Sequence, residues 1–365
     1  MSALRPQADI DGLVLRVHTA RSRPQIGVTL RLQFGELREA GREAARLGFE
    51  SLWTPSGGVP DAFHVCAAWC YDTPLRTGIS VVPAPRVWTP RTLAIQAATV
   101  GQVSDGRFIL GIGTGGYGQD FWAAGGLPNR PIAIMRDYLT ILRGLLAGEH
   151  VNYSGAVLSA DGLSLGIDDL PAVPVYLGAL GPQMVRLAGE LSNGALLNWA
   201  TPERIEQSRQ FVAEGAAKAG RDPADVALAM YIRVCVDEDV AAARRALGRQ
   251  VLGYAMARPG MPLDSGYRAM FAQMGFGDVL TELEQRQAAG EPVDALVDVT
   301  PDELLTAVGY YGAAAGAASA YARLSAGLDE TMVRVVTASR GLDPVVYALE
   351  ALTPDRIRAA IGSSG

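Results

Sequence analysis

Two kinds of hydrophobic segment alternate along the chain. The first are short, β-branched apolar runs that lack strict alternation: Ile26–Leu30, Ser51–Thr54, Thr77–Val82, Phe108–Gly113, Val175–Ala179, Ala195–Trp199, Ala227–Val236 and Met332–Thr337. Strands covered on both faces of a parallel sheet have this composition. The second are stretches whose apolar residues recur every three or four positions, as on one face of a helix. Leu37, Ala40, Ala44 and Leu47 form one such stripe, ended by Gly48. Ile132, Met135, Leu139, Leu142 and Leu146 form another, opened by Pro131. Thr201-Pro202-Glu203 predicts a capped helix start with Gly220 at its far end, and Thr300-Pro301-Asp302-Glu303 predicts a capping box.

Eight strands interleaved with helices predict an α/β chain folded as a (β/α)8 TIM-like barrel. A doubly wound sheet with a helical domain after Val236 is the alternative. The polar residues 1–25 read as an N-terminal extension, and 26–365 as a single barrel domain. Uneven strand spacing implies insertion segments near 148–172 and 237–330; within the first, the turn-rich Asn152–Asp169 looks like an excursion. In such a barrel the site is built from the loops leaving the C-terminal strand ends. These begin near Thr29, Pro55, Val82, Gly113, Ala179, Asn198 and Thr337.

Composition narrows the chemistry. The 365 residues are 49% hydrophobic, enough for a large core, yet contain no apolar run of membrane-spanning length. Residues 1–25 also lack the long apolar stretch of a secretory signal. Three cysteines exclude a disulfide scaffold, and Cys66, Cys70 and Cys235 read as buried thiols of a cytoplasmic protein. Three histidines make a histidine metal site improbable, so no metal is expected. A net charge of −6 without a basic tract argues against nucleic acid. The expected partner is a small molecule, with no membrane.

Two glycine loops carry the candidate chemistry. Gly111, Gly113 and Gly116 spell G-x-G-x-x-G, but Tyr117–Gly126 is too glycine-rich to open the helix a dinucleotide-binding loop requires. At the mouth of a barrel, Gly113, Thr114 and Gly115 would instead admit a flat ligand close to the backbone. The second loop, Gly178-Ala179-Leu180-Gly181-Pro182-Gln183-Met184, runs from strand to helix with proline at the first helical position. The amides of Gly181, Gln183 and Met184 at that helix start suit an anion such as phosphate. An ordinary proline-initiated turn would look the same.

Taken together, these segments resemble the bacterial-luciferase-like superfamily, and within it the coenzyme F420-dependent oxidoreductases. The resemblance runs from about Ile26 onward. It rests on Thr77–Val82 followed by Arg86-Val87-Trp88-Thr89-Pro90; on Ser104-Asp105-Gly106-Arg107 leading into Phe108–Gly113; on Gly178–Pro182 with Leu187-Ala188-Gly189-Glu190; and on Leu196–Trp199 with Thr201-Pro202-Glu203. The resemblance implies a homodimeric TIM-like barrel with F420, or alternatively FMN, across its mouth. It also implies a non-prolyl cis peptide at Ser80–Val81 backing the ring, and a cofactor phosphate on the loop Ala179–Met184.

The acid–base residues do not carry over. The Asp-His pair that follows strand two in the family's sugar-phosphate dehydrogenases is here Ser56-Gly57, and their glutamate after strand four is Gly116. No lysine stands near Asn198–Thr201 to take a substrate phosphate. Catalytic candidates are therefore His64 and Asp120, with Asp61 and Gln119 nearby; Asp61 reads equally as a helix N-cap. Trp53, Tyr117, Phe121, Trp122 and Trp199 are the candidate pocket aromatics, and with few charges among them they suggest a small, largely apolar substrate. The expected activity is hydride transfer between F420 and that substrate. An FMN-dependent monooxygenase, or a non-catalytic carrier of F420 or flavin, are the other readings.

Overall fold

A computed structural model describes residues 23–115, 129–167, 169–258 and 262–363. Eight parallel strands close into a barrel: β1 (Gln25–Thr29), β2 (Ser51–Thr54), β3 (Arg76–Pro83), β4 (Phe108–Gly113), β7 (Val175–Gly178), β8 (Gly194–Asn198), β9 (Ala227–Val236) and β11 (Glu330–Val335). They pair in that order, and β11 returns to β1. Each corresponds to one of the apolar runs seen in the sequence.

The excursion after the fourth strand is an antiparallel hairpin of β5 (Val151–Ser154) and β6 (Ser159–Leu163). It is moored by Asp137 on the helix Pro131–Leu146. The Asp137 carboxylate accepts from Tyr153 OH at 2.8 Å and from the amides of Val157 and Leu158 at 2.6 and 3.0 Å.

The second insertion holds helices and one strand the sequence did not suggest, β10 (Gly309–Gly312). It is short and contains two glycines, so it carries little strand signal. It pairs with the end of β9, Gly309 opposite Arg233 and Gly312 opposite Val236, beyond the barrel wall.

The predicted capping box at Thr300 does not form. The Thr300 hydroxyl donates backward to the Leu296 carbonyl at 2.8 Å, and Pro301 precedes the helix Asp302–Val308 without a side-chain cap. The other two caps do form. Thr201 accepts from the Arg204 amide, and Asp61 accepts from the amides of Phe63 and His64.

Three apolar clusters result. The largest lies between the barrel and its helices. Trp53, Ile109, Tyr176, Leu196, Ala227, Ala229 and Met332 fill the barrel interior. A separate cluster around Leu247, Val251, Phe271, Leu296 and Leu305 gives the second insertion its own core, and Trp199 reaches into it from the end of β8. All three cysteines are free and buried, and desolvation pushes their thiols up.

Candidate active site

A cavity of about 350 Å³ opens at the C-terminal ends of the strands. One wall belongs to the barrel. Where β3 passes β4, the register slips between Ile79 and Val82, and this bulge turns Val81 toward the mouth. The Ser80–Val81 peptide is cis, as the family resemblance implies. Val81 lies so close to β4 and β7 that a Cβ on Gly113 would sit 3.0 Å from one of its methyls, and one on Gly178 3.3 Å from the other. A side chain at either position would press on Val81, and the two glycines leave an apolar floor beside it.

Ser80, Val81, Gly113, Thr114, Gly115, Gly178, Ala179 and Leu180 all line the cavity. Ser56, from the loop after β2, donates to the Val81 carbonyl at 2.7 Å and ties the bulge down. The Ser80 hydroxyl is buried and has no partner among the described residues. A buried polar atom without a partner costs stability unless a ligand completes it.

Beyond Leu180, the helix Pro182–Leu191 begins as expected, with Pro182 at its first turn and Gly181 as N-cap. The Met184 amide bonds back to the Gly181 carbonyl at 3.1 Å, which corrects its expected role as a free anion donor. The amides of Gly181 and Gln183, by their position, have no intrahelical acceptor. A side chain at Gly181 would meet nothing within 4 Å, so the approach to this helix start is open.

The opposite wall is polar, which overturns the expectation of few charges. Asn198 at the end of β8, Tyr231 on β9 and Arg334 on β11 meet Tyr254, Arg258 and Tyr267 of the second insertion. Arg233, only 1% exposed, lies behind them. Its guanidinium donates to Asn198 Oδ1 at 2.8 Å and stacks 3.7 Å from the Trp199 ring centroid. A guanidinium can only donate, so Asn198 must turn its amide nitrogen the other way. That nitrogen donates to the Tyr267 hydroxyl at 2.7 Å. The phenol thus accepts from Asn198 and keeps its own proton for a ligand. Burial pushes the Tyr267 phenol well up, so it stays neutral at physiological pH.

The remaining sequence candidates fall elsewhere. Trp53 is 0% exposed inside the barrel and donates its indole N–H to Ser51 at 2.9 Å; it is core, not pocket. Trp199 is also buried, with φ at +58°, a conformation of order 1–3 kcal/mol for a bulky residue. Its indole covers Arg233 instead of lining the cavity. His64 does not line it either: its side chain is 81% exposed and its Nδ1 lies 2.7 Å from Asp61 Oδ1. Tyr117, Gln119, Asp120, Phe121 and Trp122 lie outside the described residues.

The sequence reading missed Tyr254, Tyr267, Arg233 and Arg334. The two arginines did leave a signal, since each interrupts an otherwise apolar strand run. The two tyrosines sit on helices of an insertion whose placement over the mouth no periodicity encodes.

A family model for luciferase-like monooxygenases matches residues 14–330. A 5,10-methylenetetrahydromethanopterin reductase of Methanolobus tindarius is 33% identical over 228 residues, 60% of this chain and 68% of that protein. An F420-dependent glucose-6-phosphate dehydrogenase of Microbacterium testaceum is 30% identical over 227 residues, 57% of this chain and 66% of the other. The solved coenzyme F420-dependent tetrahydromethanopterin reductase of Methanopyrus kandleri shares the fold with a TM-score of 0.71. The match covers 92% of this chain and 99% of that one at 21% identity.

Proposed function

We propose, from the premise that this chain belongs to the luciferase-like monooxygenase family, that it is an F420-dependent oxidoreductase moving a hydride between the deazaflavin and a small organic molecule. The observation that carries the reading is the barrel wall of the cavity. Val81 between Gly113 and Gly178 forms a flat apolar floor, and the buried Ser80 hydroxyl beside it has no partner among the described residues. A planar ring with polar edges suits both features. Relatives named as F420-dependent enzymes support the choice of cofactor.

In this reading Ser80, Val81, Gly113, Thr114 and Gly115 hold the ring. Ala179, Leu180, Gly181, Pro182, Gln183 and Met184 form the loop that receives the phosphate, with the amides of Gly181 and Gln183 as donors. When bound, the deazaflavin supplies two-electron hydride chemistry. This chain supplies orientation and a proton. Tyr267, fixed by the chain of bonds from Arg233 through Asn198, donates that proton to the reduced product. The homodimer implied by the family resemblance and the cytoplasmic setting read from the buried thiols belong to the same proposal.

A fluorescence titration with F420 and with FMN tests it. Because position 181 is open, Gly181→Val should fold normally and obstruct only the phosphate. F420 should bind wild type more tightly than FMN, and the variant should weaken F420 at least tenfold. Tighter FMN binding, with turnover that requires oxygen, would move the protein to the monooxygenase class.

A further inference from the structure

The register of three neighbouring strands lines up Thr29 on β1, Arg334 on β11 and Arg233 on β9 in one row. All three face the barrel interior, because they share the side of Gly27, Met332 and Tyr231 on their own strands. This row lies one step above the apolar filling of Trp53, Tyr176 and Met332, and Arg334 opens onto the cavity. Neither arginine has a carboxylate partner among the described residues. The Thr29 hydroxyl and Arg233 Nε are both buried and without a hydrogen-bond partner there. Arg258 lines the same cavity from the insertion, adding a third cation.

Unpaired guanidiniums are costly to bury, and adjacent like charges make each other worse. Burial and the neighbouring Arg233 charge hold Arg334 down at about 10, still protonated at neutral pH. Arg233 is kept in place by aromatic faces, Trp199 at 3.7 Å, Tyr254 at 5.0 Å and Tyr231 at 5.1 Å, which offset part of the desolvation without neutralising the charge. A structural role would be met more cheaply by pairing each cation with a carboxylate or by apolar residues of the same size.

We propose that the row Thr29–Arg334–Arg233 is an oxyanion subsite, and that it receives a carboxylate or phosphoryl group of the substrate. This deepens the function proposed above and rests on it for the word substrate; the anion site itself does not depend on it. The anion enters from the cavity, meets the Arg334 guanidinium first, and places the reducible part of the molecule beneath the Tyr267 hydroxyl and against the Val81 floor. Substrates would then be small organic acids or phosphate esters, not neutral hydrophobes. A cofactor phosphate or carboxylate offers the same chemistry, and the experiment separates the two sources.

The probe is inorganic phosphate, read by thermal unfolding of wild type, Arg334→Gln and Arg334→Lys against sodium chloride at equal ionic strength. Phosphate should raise the melting temperature of wild type beyond the chloride control. Combined with Gly181→Val, which obstructs the phosphate loop proposed above, Arg334→Gln should abolish the remaining shift, and Arg334→Lys should keep part of it. F420 affinity, measured by fluorescence, should stay within threefold in Arg334→Gln and Arg334→Lys alone, which also reports that they are folded. Finally, an enone carrying a carboxylate should be reduced at least tenfold better in kcat/KM than its methyl ester, and Arg334→Gln should erase the preference.

No phosphate effect beyond chloride, or an equal effect in Gly181→Val with and without Arg334→Gln, overturns the anion site. A tenfold loss of F420 affinity in Arg334→Gln assigns the anion to the cofactor and overturns the substrate assignment. If wild type bound no F420 while phosphate still stabilised it through Arg334, the hydride-transfer reading would fail and the anion site would stand.

Discussion

Tyr267 and His64 illustrate how little residue type alone decides. Histidine titrates near neutrality and is the usual first choice for proton transfer. Here His64 points into solvent with Asp61, whereas a tyrosine on an insertion helix stands in the cavity with its proton free. Tyr267→Phe should lower kcat for an enone or imine acceptor by about 10²-fold, the low end for a lost general acid. F420 affinity should change less than twofold, because the phenol faces the other wall. His64→Ala should leave kcat within twofold of wild type. A stopped-flow comparison of the three proteins with reduced F420 reads both, and a large loss in His64→Ala with none in Tyr267→Phe would reverse the assignment. The glycine loops were legible because runs of glycine at predicted strand ends stand out, and Ser80–Val81 through the family resemblance. The Arg233–Asn198–Tyr267 chain was not, because it joins β8, β9 and a helix that are distant along the chain.

The eight barrel strands are legible as elements because burial on both faces demands continuous apolar runs. The hairpin β5–β6 and strand β10 are not, since half-exposed or glycine-containing segments leave no such run. The hairpin is instead specified by one carboxylate. Its bonds to Tyr153 and to two amides overcome the burial of Asp137 and hold its carboxyl below the ordinary range. A depressed carboxylate contributes stability that is present above the unfolded value, about 4, and is lost as pH falls through the folded one. Melting temperature should therefore drop as pH is lowered below about 4, and part of that drop should vanish in Asp137→Asn. The variant should already be less stable at pH 7, because Val157 and Leu158 both donate to Oδ2 while Tyr153 donates to Oδ1, so an amide oxygen turned to the two backbone donors puts an NH2 where Tyr153 found an acceptor, and the charge is lost. An unchanged acid profile in Asp137→Asn would show that other carboxylates set it.

At the scale of the whole molecule, the cavity is walled by two bodies with separate cores. Val81 packs on the barrel interior beside Gly113 and Gly178, while Tyr254 and Tyr267 stand on helices packed around Phe271, Leu247 and Leu296. Phe271 is fully buried, with its ring 6.2 Å from that of Trp199. Phe271→Leu should loosen the insertion by a few kcal/mol at most, leaving the barrel intact. Hydrogen exchange should then speed up across residues 240–308 and stay unchanged in β1–β4. Uniform acceleration through the barrel strands would mean that the two cores unfold as one.

β10 lies beside the end of β9, so the long excursion after β9 returns almost to its point of departure before β11 completes the ring. An excursion that closes on itself in this way can be replaced as a unit without redirecting the barrel strands. A transplanted cassette would bring its own tyrosines and Arg258 to a recipient whose ring-holding loops never changed. Selectivity for the reacting partner could diverge many times over while the grip on the cofactor stayed ancestral.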